Sequence, residues 1–225
     1  SLRQELQAKS AHLENPVNPP QSHKIYVLDI ADREALHRAA QDFQEDGPCD
    51  IVIACAGISI GTLTEYPEDF AAFERVHRTN VLGLVATFEP FVANMKQRNQ
   101  GALVGISSVA GVRGLPGSSA YSSSKAAVTA YCESLRVDLH DTQVKVVTIA
   151  PGFIDTPMTQ VNPYAMPFLM APEKFAQQAL KAIERGKSYT VIPWQMGVVA
   201  KLLRIIPNRV YDHFAFRSGR KPRHL

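Results

Sequence analysis

The sequence predicts a single α/β domain in which a parallel sheet is flanked by helices. Three observations predict this class: short apolar runs of strand length recur along the chain, helical patterns separate them, and small, hydroxyl or proline residues follow them. Gly101–Ser108 and Lys145–Ala150 are mostly apolar, which is typical of parallel strands buried on both faces. Alternation of such strands with helices indicates βαβ units.

Hydrophobic periodicity and helix-breaking residues place the elements in order. Strands are predicted at Lys24–Asp29, Asp50–Ala54, Gly101–Ser108, Lys145–Ala150 and Tyr189–Ile192. Helices are predicted at Ser1–Leu13, Arg33–Gln44, Asp69–Gln97, Tyr121–Leu139, Pro172–Glu184 and Trp194–Ile206. Glycines and a proline between Val109 and Ala120 predict a loop. One domain therefore spans residues 1–225.

Two stretches depart from this alternation. The segment 152–170 is rich in Phe, Met and Tyr and is interrupted by prolines, so we expect a lid over a hydrophobic substrate, with ordinary packing or a subunit contact as the alternative. The segment 194–225 is expected to form a helical extension and a basic tail. Its helix Trp194–Ile206 carries two cations among apolar residues, which favours docking on the domain or a sister subunit; a membrane-surface helix is the alternative.

Composition excludes several classes of protein. The chain has 225 residues, 45% of them hydrophobic and 20% charged, which is ordinary globular usage. The net charge of +3 lies largely in the tail cations, so we expect a solvated tail and no nucleic-acid partner. Cys49, Cys55 and Cys132 are too few for a disulfide framework, which favours a cytoplasmic location. No metal site and no membrane-spanning run is predicted.

Tyr121 and Lys125 are the candidate chemical pair. Residues four apart share one face of a helix, so the phenol and the ammonium are expected in the same small volume. A cation at about 4 Å would lower a tyrosine pKa by about three units in an effective dielectric near 20. This pairing predicts a general acid or base that is poised near neutral pH.

Ser108 and Asn80 provide the context that this pair needs. Ser108 ends a predicted buried strand, and chemistry in open α/β sheets gathers at the carboxyl ends of strands. The glycine-containing loop that follows can fold Ser108 back toward Tyr121. Asn80 places a polar side chain inside an otherwise helical stretch.

Asn80, Ser108, Tyr121 and Lys125 resemble the catalytic tetrad of the short-chain dehydrogenase/reductase family at that family's spacing. Three further segments resemble its motifs in chain order, namely Cys55-Ala56-Gly57, Pro151-Gly152 and Asp155-Thr156-Pro157-Met158. The family usually has asparagine where Cys55 stands. The resemblance covers nearly the whole chain and implies a Rossmann-like, doubly wound parallel sheet.

The resemblance also implies an activity. The protein would be an NAD(P)-dependent oxidoreductase that interconverts a carbonyl and a secondary alcohol, with an apolar small molecule as substrate. Ser108 would bind the carbonyl oxygen, Tyr121 would donate the proton, and Lys125 would lower the Tyr121 pKa and hold the cofactor ribose. Asn80 would anchor a water that relays protons to Lys125.

The cofactor implied by the resemblance is NADP, or NAD as the alternative. The residues that would contact it are Asp29, Ile30, Ala56, Gly57, Tyr121, Lys125, Pro151, Gly152, Ile154 and Thr156. Asp29 would lie against the adenine, with a capping role at the next helix as the alternative, and Thr156 would bind the nicotinamide carboxamide. A homodimer or homotetramer is also implied, and the second apolar face of the helix, at Tyr131, Leu135 and Leu139, suits packing between subunits.

A glycine-rich phosphate-binding turn, G-x-G-x-x-G or T-G-x-x-x-G-x-G, is missing from residues 1–225. We expect that the first βαβ unit, roughly forty residues, precedes Ser1. The alternative is a degenerate relative that is a catalytically silent cofactor-binding or scaffold protein. A membrane-associated lipid ketone reductase is the third hypothesis, because the lid is apolar and the C-terminal helix is amphipathic.

Overall fold

Parallel strands form the centre of the domain. A computed structural model describes residues 23–217 and 219–223. Within these residues β1 (Ile51–Ala54), β2 (Ala102–Ile106), β3 (Lys145–Pro151) and β4 (Tyr189–Ile192) form one four-stranded sheet in that order. Every pairing is parallel, so the carboxyl ends of all four strands meet at one edge of the sheet.

Helices cover both faces of this sheet. They are α1 (Arg33–Glu45), α2 (Asp69–His77), α3 (Gly83–Arg98), α4 (Ser119–Asp138), α5 (Pro157–Gln160), α6 (Pro172–Glu184), α7 (Trp194–Ile205) and α8 (Asn208–Ala215). Leu103 packs with Phe88 and Val128 on one face, whereas Val104 packs with Ile183 on the other. Successive strand residues point to opposite faces, so the buried runs of the sequence supply two cores. The doubly wound α/β prediction is confirmed.

The predicted strand Lys24–Asp29 is wrong. It forms no sheet pairing within the described residues. A groove of about 360 Å³, lined by Tyr26 and Leu28 on one side and by Ile51 and Ile53 on the other, separates it from β1. Because β-strands need a neighbour within about 5 Å to form a ladder, its apolar composition alone does not make it part of the sheet. The predicted helix Ser1–Leu13 lies outside the described residues.

The predicted helix Asp69–Gln97 is two helices. A five-residue π-helical turn, Arg78–Leu82, joins α2 to α3 and contains Asn80. Another difference is α8, because no separate helix is predicted at Asn208–Ala215 within the segment 194–225. The lid segment 152–170 contains only one short helix, α5, and its ends are held together where Asp155 N donates to Met170 O at 2.9 Å.

The predicted subunit-contact face of α4 is turned inward. Leu139 is 4% exposed, and Tyr131 and Leu135 pack against the core cluster that includes Phe88. The tail also differs from its prediction, because Lys221 is buried and Arg223 forms ion pairs with Asp69 and Glu68. The apolar spacing indicates that α4 has a second apolar face. It does not indicate whether this face packs against the core of its own domain or against another subunit.

Candidate active site

The loop after β2 brings Ser108 toward α4. Ser108 has an extended backbone, and its Oγ accepts a hydrogen bond of 3.1 Å from Ala110 N at the start of a short 3₁₀ turn, Val109–Gly111. A Cβ at Gly111 would lie 2.7 Å from the Lys125 carbonyl carbon. Only glycine therefore lets the loop lie this close to α4, and the close approach places Ser108 beside the first turn of that helix.

Tyr121 lies in the first turn of α4 and is partly buried. Burial raises the pKa of its phenol, a hydrogen bond with Ser108 acts in the opposite direction, and the nearby Tyr164 raises the pKa further. This is a correction to the prediction that Lys125 would lower the Tyr121 pKa. Loss of water around the phenol is the largest cause, because desolvation disfavours the charged form, and Lys125 is not among the groups that shift this pKa.

Lys125 is 5% exposed, and its Nζ lies 5.7 Å from the centroid of the Tyr121 ring. The ammonium donates to the Ile106 carbonyl at 2.9 Å, at the end of β2. Burial lowers the pKa of Lys125 to about 8, and the neighbouring Cys55 acts in the opposite direction. The site thus holds a neutral phenol and an ammonium that gives up its proton only slightly above neutral pH.

Asn80 is 1% exposed and fixes the relation of three segments. Its Oδ1 accepts from Ile58 N at 2.8 Å, and its Nδ2 donates to Ile58 O at 2.9 Å. Nδ2 also donates to Ser124 Oγ at 3.0 Å. The amide therefore ties the loop after β1 to α4, and the π-helical turn around Asn80 aims it into this position.

Two serines that are not among the predicted site residues position the site. Ser124 is fully buried, accepts from Asn80 and donates from Oγ to Tyr121 O at 2.8 Å. Ser107 Oγ donates to Lys125 O at 2.9 Å, which holds α4 against the end of β2. The signal was in the sequence, since hydroxyl residues adjoin both Ser108 and Lys125.

The predicted cofactor residues of the first half of the chain lie in two loops, one before α1 and one after β1. Ala56 and Gly57 follow β1 after Cys55, and a Cβ at Gly57 would be 3.2 Å from Asn80 Oδ1 and 3.4 Å from Lys125 Nζ. Asp29 Oδ1 accepts from Ala31 N at 2.9 Å, whereas the cap of α1 is Asp32. The capping alternative for Asp29 is therefore wrong.

The other predicted cofactor residues lie against the start of α3, at the end of β3 and in the segment 152–170. Ile30 packs against Gly83 at the start of α3. Pro151 ends β3, and Gly152 N donates to Ile192 O at 2.8 Å. Ile154 pairs with Met170 across the base of the lid. Thr156 caps α5 through a reciprocal capping box with Thr159, so its hydroxyl already has partners within the chain.

Residues of the segment 152–170, of the loop before α4 and of the tail line one cavity. A cavity of about 410 Å³ is lined by Leu115, Pro116, Ser118, Phe153, Pro163, Tyr164, Ala165 and Gly219. Most of this lining is apolar, and Gly219 belongs to the tail. Lys221 donates to Asn162 Oδ1 at 3.0 Å, which joins the tail to the lid. The described residues contain no group of three side chains suited to hold a metal ion.

Residues 3–165 match the protein family described as short chain dehydrogenase. The chain belongs to the short-chain dehydrogenase family. Members of this family are oxidoreductases, and an uncharacterised oxidoreductase of Myxococcus xanthus is 38% identical over 218 residues, which are 96% of this chain and 82% of that protein.

The chain is also similar to a named reductase and to a solved structure. The 3-ketodihydrosphingosine reductase of Bos taurus is 32% identical over 193 residues, which are 80% of this chain and 58% of that protein. The crystal structure of a short-chain dehydrogenase from Burkholderia cenocepacia in complex with NADP has a TM-score of 0.73 and 25% sequence identity. That match covers 84% of this chain and 79% of the other.

Proposed function

We propose that this protein is an NAD(P)-dependent oxidoreductase that interconverts a carbonyl and a secondary alcohol on an apolar substrate. The observation that carries the proposal is the convergence of Ser108, Tyr121 and Lys125 at the carboxyl ends of parallel strands. A hydroxyl, a neutral phenol and a buried ammonium at one place suit proton transfer to a carbonyl oxygen. The largely apolar cavity beside Tyr164 supports an apolar substrate.

The residues present fit a nicotinamide cofactor. Gly57 leaves room beside the Lys125 ammonium that a Cβ would fill, and no carboxylate of the described residues contributes to the Lys125 pKa. A sugar hydroxyl would give this cation a second partner besides the Ile106 carbonyl, and Tyr121 would be the other contact of that sugar. The family resemblance adds Asp29, Ile30, Pro151, Ile154 and Thr156 as further cofactor contacts. When bound, the cofactor donates or accepts a hydride. We favour NADP over NAD because the Burkholderia cenocepacia relative is in complex with NADP.

In the reductive direction the chain's own groups act on the carbonyl oxygen. Ser108 and Tyr121 donate hydrogen bonds to that oxygen, and Tyr121 then transfers its proton. Its raised pKa keeps the phenol protonated at pH 7, which is the form that a proton donor needs. Asn80 and Ser124 link the first turns of α4 to the loop after β1, which keeps Tyr121 in position.

The test is Tyr121→Phe in the full-length protein, with NADPH oxidation measured against a panel of aliphatic and aromatic ketones. Loss of the general acid should lower turnover by about 10²- to 10⁴-fold. Affinity for NADPH, measured by fluorescence titration, should be nearly unchanged. Wild-type turnover in this variant would overturn the role of Tyr121, and NADPH binding without turnover in the wild type would favour the silent-relative alternative.

Assembly and location remain predictions. We propose a homodimer or homotetramer because the family resemblance implies one. The α4 face is not proposed as the subunit contact, because it packs against the core of the same domain. The cytoplasmic location is proposed from the sparse cysteines. Light scattering and fractionation test the two statements separately.

A further inference from the structure

Helix α7 carries an apolar stripe that the domain does not cover. Trp194, Val198, Leu202 and Ile205 share one face by their spacing and are 70%, 49%, 52% and 75% exposed. The opposite face packs into the domain through Met196 and Ala200. Scattered exposed hydrophobic residues are normal, but a contiguous stripe with a tryptophan marks an interaction surface.

Helix α8 also exposes apolar residues. It buries no residue, and Val210, Phe214 and the following Phe216 are exposed. Only Ile206 and Pro207 separate the two helices, so α8 follows α7 directly in the chain. We call residues 194–216 the C-terminal helix pair.

The helix pair is firmly attached, so its exposure is not that of a detached tail. Arg113 donates to Leu203 O and to Ile206 O at 2.6 Å each, and its Nη2 donates to Asn208 Oδ1 at 2.8 Å. Tyr211 donates to Gly114 O. Both anchors belong to the loop between Ser108 and Tyr121, so the helix pair packs directly on the loop that forms the candidate active site.

The charges of the helix pair point to the kind of partner. Lys201, Arg204 and Arg209 are exposed on it, and Arg217 directly follows it, whereas Asp212 is its one acidic residue. An interface between two copies would join two surfaces that both carry an excess of cations, and like charges repel each other. An anionic lipid surface instead accepts tryptophan and phenylalanine at the headgroup level and attracts lysine and arginine around them.

We propose that the C-terminal helix pair docks the protein on an anionic membrane surface. Among the described residues no helix could cross a bilayer, so the contact is interfacial. If the proposed function holds, the helix pair would also place the loop beside Ser108 next to the lipid phase, and the substrate would be a lipid-soluble ketone or alcohol. This second step rests on the proposed function, whereas docking itself does not.

Flotation of the full-length protein with lipid vesicles tests the docking. The wild type should float with vesicles that contain phosphatidylglycerol, bind less to pure phosphatidylcholine, and bind less in high salt. Trp194→Ser combined with Ile205→Ser should lower the partition coefficient at least tenfold. The matched control is Phe70→Ser, because Phe70 is 72% exposed on α2, away from the helix pair, and its loss should leave binding unchanged.

Three outcomes would overturn the proposal. Wild-type protein could stay at the bottom of the gradient with anionic vesicles, or Phe70→Ser could reduce binding as strongly as the helix-pair variant. Light scattering could also show that Trp194→Ser with Ile205→Ser dissociates a dimer, in which case a second copy covers the helix pair. Tyr121→Phe should float like the wild type, so failure of the proposed chemistry is distinguishable from failure of docking.

Discussion

Two lysines of the described residues are almost fully buried, one in the candidate active site and one in the C-terminal tail. Lys125 is 5% exposed and Lys221 is 6% exposed, and burial lowers the pKa of both. Their neighbours differ, because Lys125 lies beside Tyr121 at the end of β2, whereas Lys221 donates to Met158 O and Asn162 Oδ1 in the lid. Burial of a cation therefore does not by itself mark a chemical role.

The tail cations have structural partners instead. Arg223 donates to both Asp69 oxygens, at 2.8 and 3.0 Å, and lies 3.6 Å from the centroid of the Tyr66 ring. Pro222 O accepts from Gly61 N at 3.0 Å, so the tail is held along the loop after β1. Under the proposed function Lys125 acts in proton transfer and cofactor binding, whereas the contacts of Lys221 join the tail to the segment 152–170.

The largest difference should appear in turnover. Lys125→Met removes the cation beside Tyr121, and we expect kcat to fall by about 10²-fold or more in the NADPH oxidation assay. Lys221→Met removes an equally buried ammonium but leaves Ser108 and Tyr121 untouched, so most of kcat should remain and the change should appear in KM. Equal losses of kcat in both variants would break the comparison.

The pH dependence of the free energy of unfolding reports the effect of burying the Lys125 charge. Its folded-state pKa is about 8 and its ordinary value is 10.5, so the unfolded chain holds this proton over a range in which the folded chain has lost it. Where the unfolded state binds more protons, stability rises with pH. Burial of the charge thus lowers the free energy of unfolding by its full amount below pH 8. This destabilisation decreases as the pH rises from 8 to 10.5.

The measurement is a pair of urea titrations at pH 7 and pH 10. The free energy of unfolding of the wild type should rise by roughly 2–3 kcal/mol relative to that of Lys125→Met over this interval. Using the difference removes the contributions of the other titrating groups. Parallel pH profiles for the two proteins would show that the ammonium is hydrated and is not buried in solution.

The local part of the site could be predicted from the sequence. Tyr121 and Lys125 are four apart on one helix, so their convergence follows from helical geometry alone. Ser108 follows from the rule that a buried parallel strand delivers its last residues to the edge where ligands bind. Both inferences need only the residues within one element and its neighbouring loop.

The parts that failed depend on contacts between distant segments. The pairing of Arg223 with Asp69 joins residues more than 150 positions apart, and no local pattern contains it. Lys24–Asp29 has strand composition, but a ladder requires a partner strand within reach. The direction of the Tyr121 pKa shift depends on how completely the phenol loses water, which is a property of the packed domain.

The smallest effect is expected on stability, when two adjacent serines of α4 are replaced. Ser124 is buried and links Asn80 to the Tyr121 carbonyl, whereas Ser123 is exposed and donates to Ser119 O within its own helix. Ser124→Ala should cost about 1–3 kcal/mol, because the Asn80 amide loses a buried acceptor. Ser123→Ala should stay within about 0.5 kcal/mol, as surface substitutions usually do.

Urea unfolding measures both costs, and the NADPH assay shows whether they reach the site. If Asn80 positions α4 through Ser124, Ser124→Ala should lower kcat, and Ser124→Thr, which keeps the hydroxyl, should restore part of it. A variant that loses stability without any change in kcat would show that Ser124 only supports packing. That result would confine the positioning role of Asn80 to its two hydrogen bonds with Ile58, which connect it to the loop after β1.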